Sequence, residues 1–271
     1  MEALKDKSKS LYGQLSVPEL KYGLGIVASL KDFDIDNVFS ESCVSSLEVD
    51  APSGVEVKKL SECDLAFQEL YAEGLVNHDE NKFTALFYSL LDDAVVIRVP
   101  KNVKLDKPVY VKSFASNKVQ AEKIIVVAEP YSKVKIVEES GSKDSYYKGQ
   151  VVEVYAQEGA EVYYYNVQDC DVDTYNFTLH RGKVEASAQL HWLCLNFGGK
   201  FSQLNMRTEL LSPGACSTKR GVFFANGDQE FDFDDVTVHR AKRTKSMMRN
   251  RGIVDGKART IYRGNVKIVK D

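Results

Sequence analysis

Up to residue 92 several segments of this chain have apolar residues at helical spacing, whereas residues 38–57 are mixed and lean towards strands. Segment 81–91 places apolar side chains three and four positions apart, which predicts an amphipathic helix. A helix is also predicted after Ser61, closed by Gly74, and another over 18–30, where a proline stands near the start. We therefore expect a helical and mixed N-terminal region over residues 1–92.

Over residues 93–271 the helical period is replaced by short segments in which apolar and polar residues alternate, separated by turns rich in Gly, Asn, Asp and Pro. A β-sandwich uses about seven to nine strands in roughly 100 residues. The alternation here continues for much longer, and a parallel β-helix, whose coils stack without limit, accommodates it. We expect a mostly β fold, with a parallel β-helix core over 93–271.

Composition narrows the class of protein. The chain has 271 residues and a net charge of −3, so nothing in its overall charge indicates binding to nucleic acid or to an anionic membrane. No apolar run is long enough to span a bilayer, and the N-terminus does not resemble a secretion signal. The five cysteines form no CxxC pair, which argues against a disulfide framework or a structural zinc site. A soluble, reduced, cytoplasmic protein is predicted.

Three residues are candidates for metal or sulfur chemistry. His239 ends an alternating segment and is either a ligand or simply a hydrogen-bonded histidine. Cys194 and Cys216 are either small buried hydrophobes or reactive thiols, and a reactive thiol needs electropositive surroundings. Cys216 is the better candidate because Lys219 and Arg220 follow it closely.

Other histidines and cysteines are weaker candidates. His180 and His191 fall on neighbouring predicted strands and can meet if the rungs stack, although no ligand spacing requires it. Cys170 stands between Asp169 and Asp171, whose charges should raise the pKa of its thiol.

Asp232 and Asp234 share one face of a predicted strand, as paired carboxylates do in β-helix glycosidases. They can equally coordinate calcium, or simply form a solvated acidic edge with Phe231 and Phe233 on the opposite face. The basic run over 240–251 follows directly, so charge pairing between adjacent rungs is the simpler interpretation. A polysaccharide hydrolase or lyase using the Asp232/Asp234 face remains the alternative function.

In combination, several segments resemble the SufB/SufD family, the scaffold subunits of the SUF iron–sulfur cluster assembly system. The similar segments are NKFTAL (81–86) leading to VPK (99–101), VVEV (151–154) with EGAEV (158–162), VQ (167–168) with YNF (175–177), and the run from Val238-His239 to YRGNV (262–266). The mixture of SufB-like and SufD-like features is similar to an archaeal-type member.

This resemblance implies a right-handed parallel β-helix and a non-enzymatic scaffold. It implies dimerisation with an identical chain or a sister SufB/SufD subunit, and a SufC-like ABC ATPase as partner. An iron–sulfur cluster would be bound transiently in the full-length complex and would not be required for folding. Family members continue past the last segment, so we expect this chain to be C-terminally truncated.

The resemblance adds one candidate residue. The position of a mid-core SufB cysteine aligns with Glu209 here, so a thiol of the family is replaced by a carboxylate. The candidates for handling iron or sulfur are then His239, Glu209, Cys194 and Cys216. Carboxylate and imidazole groups suit iron, and a thiol suits sulfur transfer.

Overall fold

The structure is a computed structural model that describes residues 1–18, 21–22, 26–27, 30, 32–41, 43, 47–115 and 117–270. No helix within these ranges is both long and apolar enough to cross a membrane.

Short elements precede a long series of strands. The helices are α1 (Glu2–Tyr12), α2 (Ile35–Ser40), α3 (Leu65–Tyr71) and α4 (Lys82–Leu90), with a 3₁₀ turn at Leu60–Glu62. The first strands are β1 (Lys21–Tyr22), β2 (Ile26–Val27), β3 (Leu47–Asp50), β4 (Glu56–Lys59), β5 (Ala94–Val99) and β6 (Val109–Ala115). Those that follow are β7 (Val119–Ala128), β8 (Lys133–Ser142), β9 (Tyr147–Ala156), β10 (Glu161–Cys170), β11 (Tyr175–Val184), β12 (Gln189–Gly198), β13 (Phe201–Leu210), β14 (Cys216–Ala225), β15 (Glu230–His239), β16 (Lys245–Val254) and β17 (Arg259–Ile268).

From β5 onward the chain winds into a β-solenoid of about six turns, which confirms the predicted parallel β-helix. The odd-numbered strands stack in one parallel sheet and the even-numbered strands in a second. The strands β4 and β3 cover the first edge of the odd and even sheets respectively, each in antiparallel pairing. Pairing at the edge satisfies the hydrogen bonds of backbone N–H and C=O groups that could otherwise pair with a strand of another molecule.

The turn between an odd strand and the next even strand has a recurring feature, although its length varies from four to nine residues. One residue there has positive φ: Asn102, Tyr131, Gly159, Ser187, Gly214 and Arg243. In the first five of these turns its N–H donates to a carbonyl of the following rung, as Gly159 N does to Ala186 O at 2.8 Å. Only two of the six positions carry glycine, the residue that adopts this conformation without strain. The sequence therefore shows no clean repeat although the backbone repeats.

The interior of the solenoid is formed by alternate residues of both sheets, as the period of two requires. Around the repeated turn it is apolar, with fully buried side chains such as Val126, Ile136, Val154 and Val162. On the opposite side it is polar. An apolar half holds the sheets together by burial, and the polar half needs internal hydrogen bonds instead.

The N-terminal region covers the outer face of the odd sheet. Helix α4 begins at Asn81, whose side chain accepts hydrogen bonds from Phe83 N (2.8 Å) and Thr84 N (3.1 Å), as predicted for segment 81–91. Phe83 stacks on Phe177 of β11 with ring centroids 4.7 Å apart. The helix predicted over 18–30 falls mostly outside the described residues, and those described within it include the short antiparallel strands β1 and β2.

A buried ion pair fastens this region to the solenoid. Lys123 Nζ lies 3.1 Å from Glu153 Oε1, and both side chains are fully buried. Lys123 also donates to the carbonyls of Ala72 (3.0 Å) and Glu73 (2.9 Å), and Leu75 N donates to Glu153 Oε1 (2.9 Å). Burial lowers the pKa of Lys123, and the carboxylate of Glu153 opposes that shift. Two rungs and the segment after α3 are thereby joined through one pair of charges.

Replacing one member of this pair should destabilise the fold strongly, because the other charge stays buried without its partner. We expect Glu153→Leu to lower the free energy of unfolding by about 3–5 kcal/mol in urea denaturation. The double variant Lys123→Met/Glu153→Leu should recover much of that loss. The control is Lys133→Met, which breaks the half-exposed pair Lys133–Glu161 (2.7 Å) and should leave the free energy of unfolding nearly unchanged, because water screens exposed charges. Equal losses for Glu153→Leu and the control would contradict this role.

Candidate functional site

The polar side of the solenoid interior forms a continuous column of hydrogen-bonding groups. Its buried members include Gln120, Glu122, Glu138, Lys148, Gln150, Asn166, Gln168 and Asn176. Glu138 accepts hydrogen bonds from Gln150 Nε2 (2.6 Å), Tyr164 OH (2.9 Å) and Asn166 Nδ2 (2.8 Å). Burial raises the pKa of Glu138, and these donors oppose the rise because they favour the carboxylate.

Cys194 lies inside the solenoid, farther along the axis. Its Sγ is 3.9 Å from His180 Nδ1 and 4.0 Å from Met206 Sδ. A small cavity of about 10 Å³ beside it is lined in part by Lys219 and Asp235. That volume is near the minimum that holds one water. A thiol, an imidazole, a thioether, an amine and a carboxylate thus converge in one enclosed region.

Burial sets the protonation of this group. It raises the pKa of the Cys194 thiol, with smaller contributions from Asp235 and Glu138. It lowers the pKa of His180 to about 3 and that of Lys219 to about 8. Near neutral pH the thiol and the imidazole are therefore uncharged. Lys219 donates to the carbonyls of Val236 (2.9 Å) and Met206 (3.4 Å).

The chemistry open to this group follows from its donors. Thiol, thioether and imidazole are soft or borderline ligands that suit sulfur species and late first-row metals. A cluster held by cysteine normally takes four thiolates, and all five cysteines are free. Within the described ranges Cys194 belongs to no set of three potential ligands close enough to share an ion. It offers a single sulfur contact rather than a complete cluster site.

His239 ends β15 at the corner of the last described rungs. Its Nδ1 is 2.7 Å from Thr244 Oγ1, and its Nε2 is 2.8 Å from Ser246 Oγ. Both ring nitrogens are therefore engaged with hydroxyl groups. A role as a metal ligand requires one of these hydrogen bonds to be replaced.

Glu209 lies between two arginines on the outer face of the odd sheet. It accepts hydrogen bonds from Arg207 Nη2 (2.9 Å) and from Arg240 Nε. The hydrogen bond from Arg240 is the main reason that the pKa of Glu209 is lowered. Glu209 is in register with Val238 and so lies one residue away from His239. The alternation of the strand directs the two side chains to opposite faces.

Cys216 begins β14 and points outward from the even sheet, half-buried, in register with Gln189 and Lys245. The predicted electropositive setting is only partly present. Arg220 lies on the same face, but Lys219 is 2 % exposed and points into the core. The four predicted residues therefore occupy different parts of the solenoid and do not form one site.

The weaker candidate residues also lie apart from one another. His180 is fully buried and stacks on Trp192 (5.1 Å between centroids), whereas His191 stacks on Tyr163 of the outer face (4.6 Å). They do not meet, because residue parity places them on opposite faces. The pKa of the Cys170 thiol is raised as predicted, but burial is the main cause and Asp169 contributes least.

Asp232 and Asp234 share the outer face of the odd sheet, as predicted, and are held by neighbouring rungs. Arg263 Nη1 lies 2.9 Å from Asp232 Oδ1, and Gln203 Nε2 donates to Asp232 Oδ2 (2.9 Å). Asn205 Nδ2 donates to Asp234 at 3.2 Å. Asp232 is 1 % exposed. This ladder of side-chain pairs does not favour the polysaccharide hydrolase or lyase hypothesis.

One group was not predicted from the sequence. Glu73, His78 and Asp79, between α3 and α4, each place a potential ligand atom within 4.8 Å of the others. His78 Nδ1 lies 2.6 Å from Glu73 Oε1, so the two already satisfy one another. Their spacing matches no ligand motif, which is why sequence reasoning did not find them.

Comparison with known proteins gives consistent matches. A family model described as "SUF system FeS cluster assembly, SufBD core domain" matches residues 111–271. An "Iron-sulfur cluster assembly SufBD family protein" of Staphylococcus epidermidis is 26% identical over 276 residues, covering 98% of this chain and 58% of the relative. Similarly named proteins of Staphylococcus haemolyticus and Staphylococcus aureus match with the same identity and coverage. The chain thus spans 58% of the length of these curated relatives.

Acid should destabilise the protein through His180. Its pKa is about 3 when folded and 6.5 when unfolded, so between these values the unfolded chain binds the extra proton and stability falls as pH falls. We expect a loss of about 2 kcal/mol between pH 7 and pH 5 from this residue, measured by urea denaturation. His180→Gln should remove that part of the pH dependence. His78→Gln, which alters a half-buried histidine outside the solenoid, should retain it; equal pH dependence in wild type and His180→Gln would contradict the assignment.

The cysteines should differ in their reaction with iodoacetamide. Cys170 and Cys194 are 4 % and 2 % exposed, so alkylation requires local opening of the solenoid. We expect each to react at least about tenfold more slowly than Cys216 in the native protein. Peptide mass spectrometry gives the rates, with the urea-unfolded chain as reference. Native labelling of Cys194 as fast as Cys216 would show that the interior is open to small molecules.

Proposed function

Because the chain belongs to the SufB/SufD family, we propose that it is a scaffold in iron–sulfur cluster assembly. It works in the cytoplasm with a SufC-like ABC ATPase, as an identical dimer or with a sister SufB/SufD subunit. The match of the core-domain model over residues 111–271 is the observation that carries this proposal. The iron–sulfur cluster is the cargo of the complex and is not needed to build the fold.

The side-chain arrangement supports a scaffold rather than an enzyme. The paired carboxylates Asp232 and Asp234 are engaged with Arg263, Gln203 and Asn205, so they are not poised as acid and base. The interior is filled by side chains of both sheets. ATP hydrolysis is assigned to the partner.

We divide the four candidate residues by chemistry. Cys194 and Cys216 suit sulfur, the first as an enclosed thiol beside His180 and Met206, the second as the accessible one. Glu209 and His239 suit iron, since carboxylate and imidazole are its usual oxygen and nitrogen ligands. Each must first release a present partner, Arg240 for Glu209 and a hydroxyl for His239. One or two donors per location implies that other ligands come from a partner subunit.

Anaerobic reconstitution tests this function. The full chain is mixed with ferrous iron, cysteine and a cysteine desulfurase, with and without a SufC-like ATPase and ATP. After desalting, bound iron and acid-labile sulfide are measured together with visible charge-transfer absorbance. We expect both elements to be retained in the presence of the ATPase, and the chain alone to hydrolyse no ATP.

Single variants then assign the donors. Cys194→Ser, Cys216→Ser, Glu209→Gln and His239→Asn are compared with the control Cys63→Ser, which lies outside the solenoid. Loss of a required donor should lower bound iron or sulfide by at least about tenfold, since even loss of a group that only supports a metal ligand typically costs that much. Thermal unfolding checks that each variant folds. A wild-type chain that retains neither iron nor sulfide, with or without the ATPase, would contradict the scaffold function.

A further inference from the structure

The loop between α3 and α4 brings an imidazole and two carboxylates together outside the solenoid interior. Glu73, His78 and Asp79 each place one potential ligand atom within 4.8 Å of the other two. Within the described ranges no other three such side chains lie close enough to share an ion. An imidazole beside carboxylates suits divalent first-row transition metals, whereas carboxylates alone suit Mg²⁺ and Ca²⁺. The histidine therefore distinguishes this group from an ordinary acidic patch.

Two hydrogen bonds to one carboxylate oxygen hold the histidine in place. The ring Nδ1 of His78 lies 2.6 Å from Glu73 Oε1, and the backbone N–H of His78 donates to the same oxygen at 2.9 Å. Burial acts to raise the pKa of Glu73, but the hydrogen bonds from His78 outweigh it and the pKa is lowered. Glu73 is therefore ionised near neutral pH, and Nδ1 is the ring nitrogen that carries the proton.

The backbone of this loop is fastened to buried side chains. Lys123 Nζ and Tyr88 OH both donate to the carbonyl of Glu73, at 2.9 and 2.8 Å. Gly74 has a φ of 68°, and a Cβ at this position would collide with the carboxylate of Glu153. Glycine is thus required for the close approach of the loop to the solenoid. A backbone fixed in this way reduces the ordering cost of binding an ion.

The charge of the loop is suited to a divalent cation. Within the described part of the chain, neither carboxylate of the group is paired with a lysine or an arginine. Lys123, which contacts the loop, lies 3.1 Å from Glu153 and is paired there. Arg181 lies 3.7 Å from Glu80 at the end of the loop. Two negative charges therefore stand without a neighbouring cation, and a divalent metal would compensate both.

We propose that Glu73, His78 and Asp79 bind a divalent first-row transition metal, with ferrous iron as the ion that cluster assembly supplies. Only the choice of iron rests on the proposed function. When the metal binds Nδ1, the ring loses that proton to water and takes one from water at Nε2, so the imidazole stays neutral. Metal–ligand distances of about 2.0–2.2 Å place ligand atoms roughly 3.0–3.5 Å apart. The hydrogen-bonded pair must therefore open slightly, and the exposed Asp79 must move towards it.

An ion at this site can exchange with its surroundings. The side chains of His78 and Glu73 are 20 % and 38 % exposed, and Asp79 is exposed. Three protein ligands leave coordination positions open to water or to a second donor, unlike the closed shell of a structural site. The site is therefore suited to holding a metal ion and releasing it, rather than to fixing the fold.

Anaerobic equilibrium dialysis of the full chain against ferrous iron tests the site. We expect wild type to bind the ion, and Glu73→Gln, His78→Gln and Asp79→Asn each to weaken binding at least about tenfold. Co²⁺, whose visible absorption changes with its ligands, gives a second readout, and the same variants should lose that change. About a 100-fold excess of Mg²⁺ should leave iron bound, because imidazole is a poor ligand for Mg²⁺.

The matched control is His191→Gln/Asp173→Asn, which removes the same kinds of side chain from β12 and from the turn before β11. It should bind iron like wild type. Thermal unfolding checks each variant, and Asp79→Asn alters an exposed side chain, so it should stay folded.

Three results overturn the proposal: a wild-type chain that binds neither ferrous iron nor Co²⁺, loop variants that bind as tightly as wild type, or displacement of iron by Mg²⁺. The dialysis contains no sulfide, desulfurase or ATPase. Failure of cluster reconstitution therefore leaves a positive result here standing, and failure here leaves the scaffold function standing.

Discussion

The structure depends on the parallel stacking of strands one rung apart. At a spacing of about 4.8 Å, each side chain lies directly against its equivalents in the rungs before and after it. An apolar residue is then buried by its neighbours at little cost. A polar one must find its hydrogen bond inside the same column, as Glu138 does with Tyr164 and Asn166. The buried pair Lys123–Glu153 obeys the same constraint on the outer face, where the N-terminal region excludes water.

This constraint connects the fold with the candidate chemistry. Cys194, His180 and Lys219 come from three different strands, and only the stacking brings them together. Their enclosure shifts protonation towards the uncharged thiol and imidazole. The same side chains are therefore part of the core and candidates for handling sulfur. Changing one of them alters stability and chemistry together.

Alternation and length were enough to predict the β-helix, because every rung needs inward apolar residues at a period of two. The helix over segment 81–91 could be predicted equally well, with Asn81 as its N-cap. The candidate site was harder to predict from the sequence. Parity along a strand decides whether a residue faces the core, and a single position separates Arg220, outside, from Lys219, inside. Contacts between the two sheets, such as Cys194 with His180, depend on a turn length that no local motif encodes.

The repeated turn at Gly159 and its equivalents has a consequence for how this chain can change over time. Strands β7 to β17 all have ten residues, yet paired residues in neighbouring rungs are separated by different lengths of chain, as Tyr175 with Phe201 and Glu230 with Arg259 illustrate. The corners therefore differ in length while the strands do not. One residue added within a strand would turn its whole inward row outward. One added at a corner leaves every row in place, so the sequence can drift far while the solenoid stays the same.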